Sequence, residues 1–80
     1  MFQETDIVVL KRNIQEYGLK EGDIGAVVHC YRDGAAFEVE FVTAQGDTVA
    51  ILTLSPEAIR PVMGQEILHV RGLEQVSPIN

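Results

Sequence analysis

Leu19-Lys20-Glu21-Gly22-Asp23-Ile24-Gly25-Ala26-Val27-Val28 sets a polar corner holding two glycines directly against a β-branched apolar run. A chain of that composition turns sharply and then enters a buried strand. Gly22 can take positive φ to finish the turn, and Gly25 leaves room for another strand to cross closely over the backbone. The stretch therefore reads as the corner of a closed β structure.

Downstream, Ile24 to Tyr31 reads as a strand, Arg32-Asp33-Gly34-Ala35 carries an Asp-Gly hairpin signal, and Ala36 to Val42 is the return strand. Phe37, Val39 and Phe41 alternate there with Ala36, Glu38 and Glu40, giving one apolar and one charged face. Thr43 to Asp47 contains a second turn signal, Gln-Gly-Asp, and Thr48 to Leu54 forms the third strand of a meander. Ser55-Pro56-Glu57-Ala58 starts like a helix, with Ser55 as cap, but Arg60-Pro61 follows too soon, so one 3₁₀ turn fits. Ile59, Pro61 and Val62 then offer a short closing strand at a sheet edge. Upstream, Asp6 to Leu10 is a first strand, and Asn13 to Asp23 is a long loop whose Ile14, Tyr17 and Leu19 fold back to plug the core.

Strand, long loop, three-strand meander, 3₁₀ turn and short strand is the order of an all-β, five-stranded SH3-like barrel over residues 1–62, whose closure removes most exposed edges. Residues 63–80 form a C-terminal extension. Gln65 to Arg71 suits a strand pointing Leu68 and Val70 inward, while Ile67, Val70, Leu73 and Val76 at steps of three suit one side of a helix, and neither template wins. The extension packs across the barrel or contacts another chain, a second copy included.

At 80 residues, 46% hydrophobic and 22% charged, the chain is one folded domain, able to hide roughly six-tenths of its unfolded surface. That leaves room for one small core and none for a deep cleft beside it. Twelve acidic residues against six basic ones repel a phosphate backbone, so generic nucleic-acid binding is disfavoured. The single Cys30 and the absence of a basic region ahead of Ile7–Leu10 fit a reducing, cytosolic compartment without export or membrane insertion. There is no repeat or low-complexity tract.

Asp6–Leu10, the Gly18–Val28 corner, Phe37-Glu38-Val39-Glu40-Phe41 and Ile59-Arg60-Pro61-Val62 together resemble a family of short bacterial proteins of unassigned function, domain of unknown function 4926. The resemblance covers nearly the whole chain. It implies an SH3-like barrel similar in shape to the small barrel of the nitrile hydratase β subunit. It also implies a gene-neighbourhood role beside small toxin-like proteins, as an antitoxin or immunity-type binder.

The residues themselves carry no catalytic constellation and no cofactor signal. His29 and Cys30 are adjacent, so on a strand they face opposite ways and cannot chelate one ion; Cys30 is read as core and His29 as rim. His69 has no partner near it in sequence. Glu38 and Glu40 sit about 7 Å apart on one strand face, where an open convex surface does not raise a carboxyl pKa, so they read as a solvated or partner-binding face rather than an acid–base pair. With Glu21 and Asp23 they offer an acidic patch to a basic protein, neighbour-encoded on the family reading. Asp23 also suits bonding to backbone amides within its own turn. Ile67, Leu68 and Leu73 are the apolar contact candidates of the tail. The competing class is a nucleic-acid-binding barrel of the KOW type, which carries a similar Gly-Asp-x-Gly-x-Val corner and for which Lys11, Arg12, Lys20 and Arg32 would have to cluster at one end. Few aromatics and no Trp argue against it. The chain is expected to be a non-enzymatic protein-binding module.

Overall fold

In the computed structural model, which describes residues 2–73, the β-branched runs form five antiparallel strands: β1 Ile7–Leu10, β2 Ile24–Cys30, β3 Phe37–Val42, β4 Thr48–Leu54 and β5 Ile59–Pro61. Their order in the sheet is β4-β3-β2-β1-β5, the strand order of an SH3-like fold. β1 lies at the crossing, with Val8 opposite Gly25 on one side and Pro61 on the other. Among the described residues β4 and β5 do not pair, so the barrel expected to close on itself stays open along that seam. The physical reason lies in β5, which has three residues and ends in a proline that has no N–H to donate.

The strands' inner positions supply the core. Val8 and Leu10, Val27, Phe37, Val39 and Phe41, Ala50 and Leu54, then Ala58 and Ile59 interdigitate in one cluster, closed at one end by Ile14 and Leu19. Phe2 stacks edge-on against Phe37 at a centroid distance of 5.3 Å. No polar side chain is buried among the described residues, so desolvation of apolar surface is the force that holds this cluster.

Turn chemistry follows the sequence. Asp33 and Gly34 both take left-handed backbone (φ 68° and 67°), as an Asp-Gly hairpin demands, and the N–H of Tyr31 donates to the carbonyl of Ala36. Gly22 finishes the corner at φ 98°. A 3₁₀ turn spans Pro56–Ala58 as expected, but Ser55 makes no side-chain cap; the N–H of Ala58 reaches the Ser55 carbonyl instead. Two other details differ. Tyr17 rides outside on a 3₁₀ turn, because Ile14 and Leu19 bond to each other and expel the residues between them. Gly25 is crowded not by a crossing backbone but by the inward side chains of Val39 and Phe41 on the adjacent β3.

A bulge between Val27 and His29 leaves Val28 without a partner on β3 and turns it outward. Beyond β5, residues 62–73 are neither strand nor helix; one turn at Gly64–Gln65 starts an irregular segment. Val76 lies outside the described residues.

Candidate functional site

The outer face of β3 carries Glu38 and Glu40, and cross-strand register decides what surrounds them. Glu38 stands opposite Thr53 on β4 and His29 on β2, and Glu40 stands opposite Ile51 and Ala26. Glu38 Oε2 accepts from the Tyr31 hydroxyl at 2.6 Å and from Thr53 Oγ1 at 2.8 Å, and Glu40 Oε2 accepts from Thr48 Oγ1 at 2.7 Å. The Tyr31 bond, with that from Thr53, holds the Glu38 carboxyl below its ordinary value and in turn raises the Tyr31 phenol. All three donors are neutral. The carboxylates are thus fixed in direction while their charge, among the described residues, meets no lysine or arginine within ion-pair distance.

At the other end of β2 the corner is held by Asp23. Its carboxylate accepts the Lys20 N–H at 2.8 Å, the bond within the turn that the sequence suggested. It also accepts a bidentate fork from Arg71, Nε at 2.8 Å and Nη2 at 2.6 Å, and the same Nη2 donates to the Gly18 carbonyl at 2.8 Å. Burial alone would raise the Asp23 pKa, but the bonds from Arg71 and Lys20 outweigh it and the net shift is downward. Asp23 therefore does not join Glu38 and Glu40 in an uncompensated acidic patch. Glu21, on the corner, acts on Arg60 instead: the Glu66 hydrogen bond is what chiefly raises the Arg60 pKa, and the Glu21 charge adds a smaller push in the same direction.

Arg71 belongs to the tail, so this fork straps residues 62–73 to the barrel. A second strap sits upstream, where Arg60 of β5 donates to both oxygens of Glu66 at 2.9 and 2.6 Å while Glu66 also accepts the Met63 N–H at 2.7 Å. The Arg60 bond, then the Met63 bond, pull the Glu66 carboxyl down to about 2. Between the straps, Ile67, Leu68 and Val70 are 91%, 68% and 90% exposed. Leu73 is half-exposed and lines, with His69, Val70, Leu19, Ile24 and Phe41, a groove of ≈ 350 Å³ at the corner end of the sheet.

The remaining candidates stay apart. Cys30 packs on the core with its Sγ 3.5 Å from the Phe2 carbonyl. His29 stands at the rim, edge-on to Tyr31 at 4.8 Å and 3.9 Å from Glu4. No group of three or more His, Cys, Asp or Glu among the described residues could hold a metal ion. Lys11, Arg12 and Lys20 flank the corner end, but Arg32 follows the far end of the seven-residue β2, roughly 20 Å away, so the four do not form one cluster.

The model of the family described as Domain of unknown function (DUF4926) matches residues 4–61. The chain belongs to that family. No curated protein and no solved structure matches it. The DUF4926 match ends with the last residue of β5, so it takes in the sheet, the corner and Glu38–Glu40, and it stops short of the strapped segment. No helix among the described residues of this DUF4926 protein is long and apolar enough to cross a membrane.

Sequence reasoning missed Arg71, which lies 48 residues from Asp23 and carries no local signal of the contact. The hydroxyl donors to Glu38 and Glu40 were missed as well: counting outward from a Thr43–Asp47 turn sets Leu52 opposite Glu38, and it is the bulge between Phe41 and Val42 that shifts the register by one and brings Thr53 there.

Proposed function

We propose that this DUF4926 chain is a non-enzymatic module that binds a basic protein through its strapped tail, assisted by the acidic face of β3. The observation that carries the reading is the run Ile67, Leu68 and Val70, exposed between two bidentate arginine–carboxylate pairs. Apolar side chains in water are unfavourable for a free chain, and straps at Arg60–Glu66 and Asp23–Arg71 limit the ordering cost a partner must meet. Glu38 and Glu40, fixed by neutral donors, contribute to the field that steers a cationic partner, in a chain of formal net charge −6. Binding works by occlusion, the rigid sheet standing behind the contact. The family resemblance adds the finer reading of a bacterial cytoplasmic antitoxin or immunity-type neutraliser of a neighbour-encoded protein. A KOW-like nucleic-acid role has less support, since Arg60 and Arg71 already pair with carboxylates.

The test compares the tagged wild type with Ile67→Asp/Leu68→Asp as baits in nuclease-treated extract of the native cell. A basic protein recovered in about equal amount by the wild type and lost with the variant, whose melting stays unchanged, is the expected result. Recovery that is equal for both baits, or abolished by the nuclease, overturns the assignment of the contact to the tail.

A further inference from the structure

The two edges of the sheet are built differently. β5 is three residues long and contains an arginine and a proline, each a device that discourages further strand pairing. β4, Thr48-Val49-Ala50-Ile51-Leu52-Thr53-Leu54, is seven residues long and has neither charge nor proline. β3 lies on one side of it, and among the described residues its backbone makes no hydrogen bond beyond that ladder. Its polar side chains are already satisfied: the Thr48 and Thr53 hydroxyls turn back to Glu40 and Glu38. Ile51, at the strand's centre, is 52% exposed.

We infer that β4 is a pairing edge for β4 of a second copy of this chain, antiparallel about a two-fold axis at Ile51. That register sets Ile51 against Ile51, Ala50 against Leu52 and Val49 against Thr53, so every facing pair is uncharged. A charged foreign strand finds no counter-charge along this edge; an identical strand is its own complement. The acidic residues do not oppose the pairing. Glu38 and Glu40 lie one strand back, and three strand spacings, about 14 Å, separate β3 of one copy from β3 of the other, beyond the Debye length of roughly 8 Å at physiological salt. The pairing is placed on β4 and not on Ile67 and Leu68, so the inference stands or falls separately from the function proposed above.

Sedimentation equilibrium of the full chain over a concentration series tests it. The wild type shifts from 8.8 kDa towards twice that mass with concentration, and Ile51→Glu, which sets two carboxylates at the axis, each beside the Glu40 that stands opposite it, weakens the association roughly a hundredfold. Ile67→Asp/Leu68→Asp associates like the wild type. A wild type that stays at 8.8 kDa throughout, or a dimer that survives Ile51→Glu, overturns the inference. Hydrogen exchange on the unmodified protein gives a reading independent of any variant. Amides of β4 that point away from β3 gain protection with concentration; protection gained in residues 62–73 instead overturns the placement of the interface.

Discussion

Replacing Gly25 with alanine adds a single methyl group where the core has no room. Built on the existing backbone, that methyl lies 2.6 Å from Val39 Cγ1 and 2.9 and 3.0 Å from two ring carbons of Phe41. Both neighbours are buried in the main cluster, and Val39 is β-branched, so it cannot rotate away without displacing others. Overpacking of this kind costs typically 1–3 kcal/mol, and separations this short place the cost near about 3 kcal/mol. Alanine also restricts the unfolded chain, which returns about 0.4–1 kcal/mol. The net loss is about 2 kcal/mol, or a drop of roughly 8–16 °C in Tm for a domain of this size. Gly22→Ala is the control, since nothing lies within 4 Å of its added methyl and only the strained φ of 98° opposes it, at about 1–2 kcal/mol. Thermal and urea unfolding followed by circular dichroism measure both. The double variant Gly25→Ala/Val39→Ala should be more stable than the two single losses predict when added, by about 1 kcal/mol, because Val39→Ala removes the nearest obstructing atom. Melting of Gly25→Ala within about 2 °C of the wild type, or strict additivity in the cycle, would refute the crowding argument.

Arg71→Ala removes the fork on Asp23 and should lower stability by about 1 kcal/mol, a charged hydrogen-bond value discounted for partial exposure. Because the folded Asp23 pKa lies below its unfolded value of 3.8, this contribution is complete above 3.8 and lost as the pH falls through the folded value. The gap between the wild-type and Arg71→Ala melting curves should therefore hold steady at neutral pH and narrow once the pH falls below 3.8, and a gap that stays constant in acid would count against the strap. Tyr31→Phe removes the first donor to Glu38, so an NMR titration should show that carboxyl rising towards 4.5. In Glu38→Gln the phenol of Tyr31 should fall towards 10.0 by ultraviolet titration, and no movement of either group would mean the bond is absent in solution.

The sheet was readable because its signals are local. Alternation in Phe37–Phe41, two turns with glycine at positive φ and an early proline after Ala58 each constrain the backbone within a few residues. Strand order followed from that meander and the short strand after it. What escaped depends on contacts distant in sequence. Seam closure turns on whether a three-residue strand can reach β4, and the position of Tyr17 on whether Ile14 and Leu19 meet each other first. The tail was ambiguous because its apolar spacing fits two periods, and its path is set by Arg60 and Arg71 gripping Glu66 and Asp23, which hydrophobic patterning does not encode. The acidic face was legible as alternation, whereas the hydroxyl donors that orient it required register.

The inequality of the two sheet edges bears on how this chain behaves when crowded. A sheet inviting at both edges can add copies without end and grow into a filament. Here a strand accepted at β4 leaves on the far side only β5, with its three residues, its arginine and its proline. Stacking edge to edge ends after one step, and the molecule can keep an unguarded strand without becoming a seed for fibres.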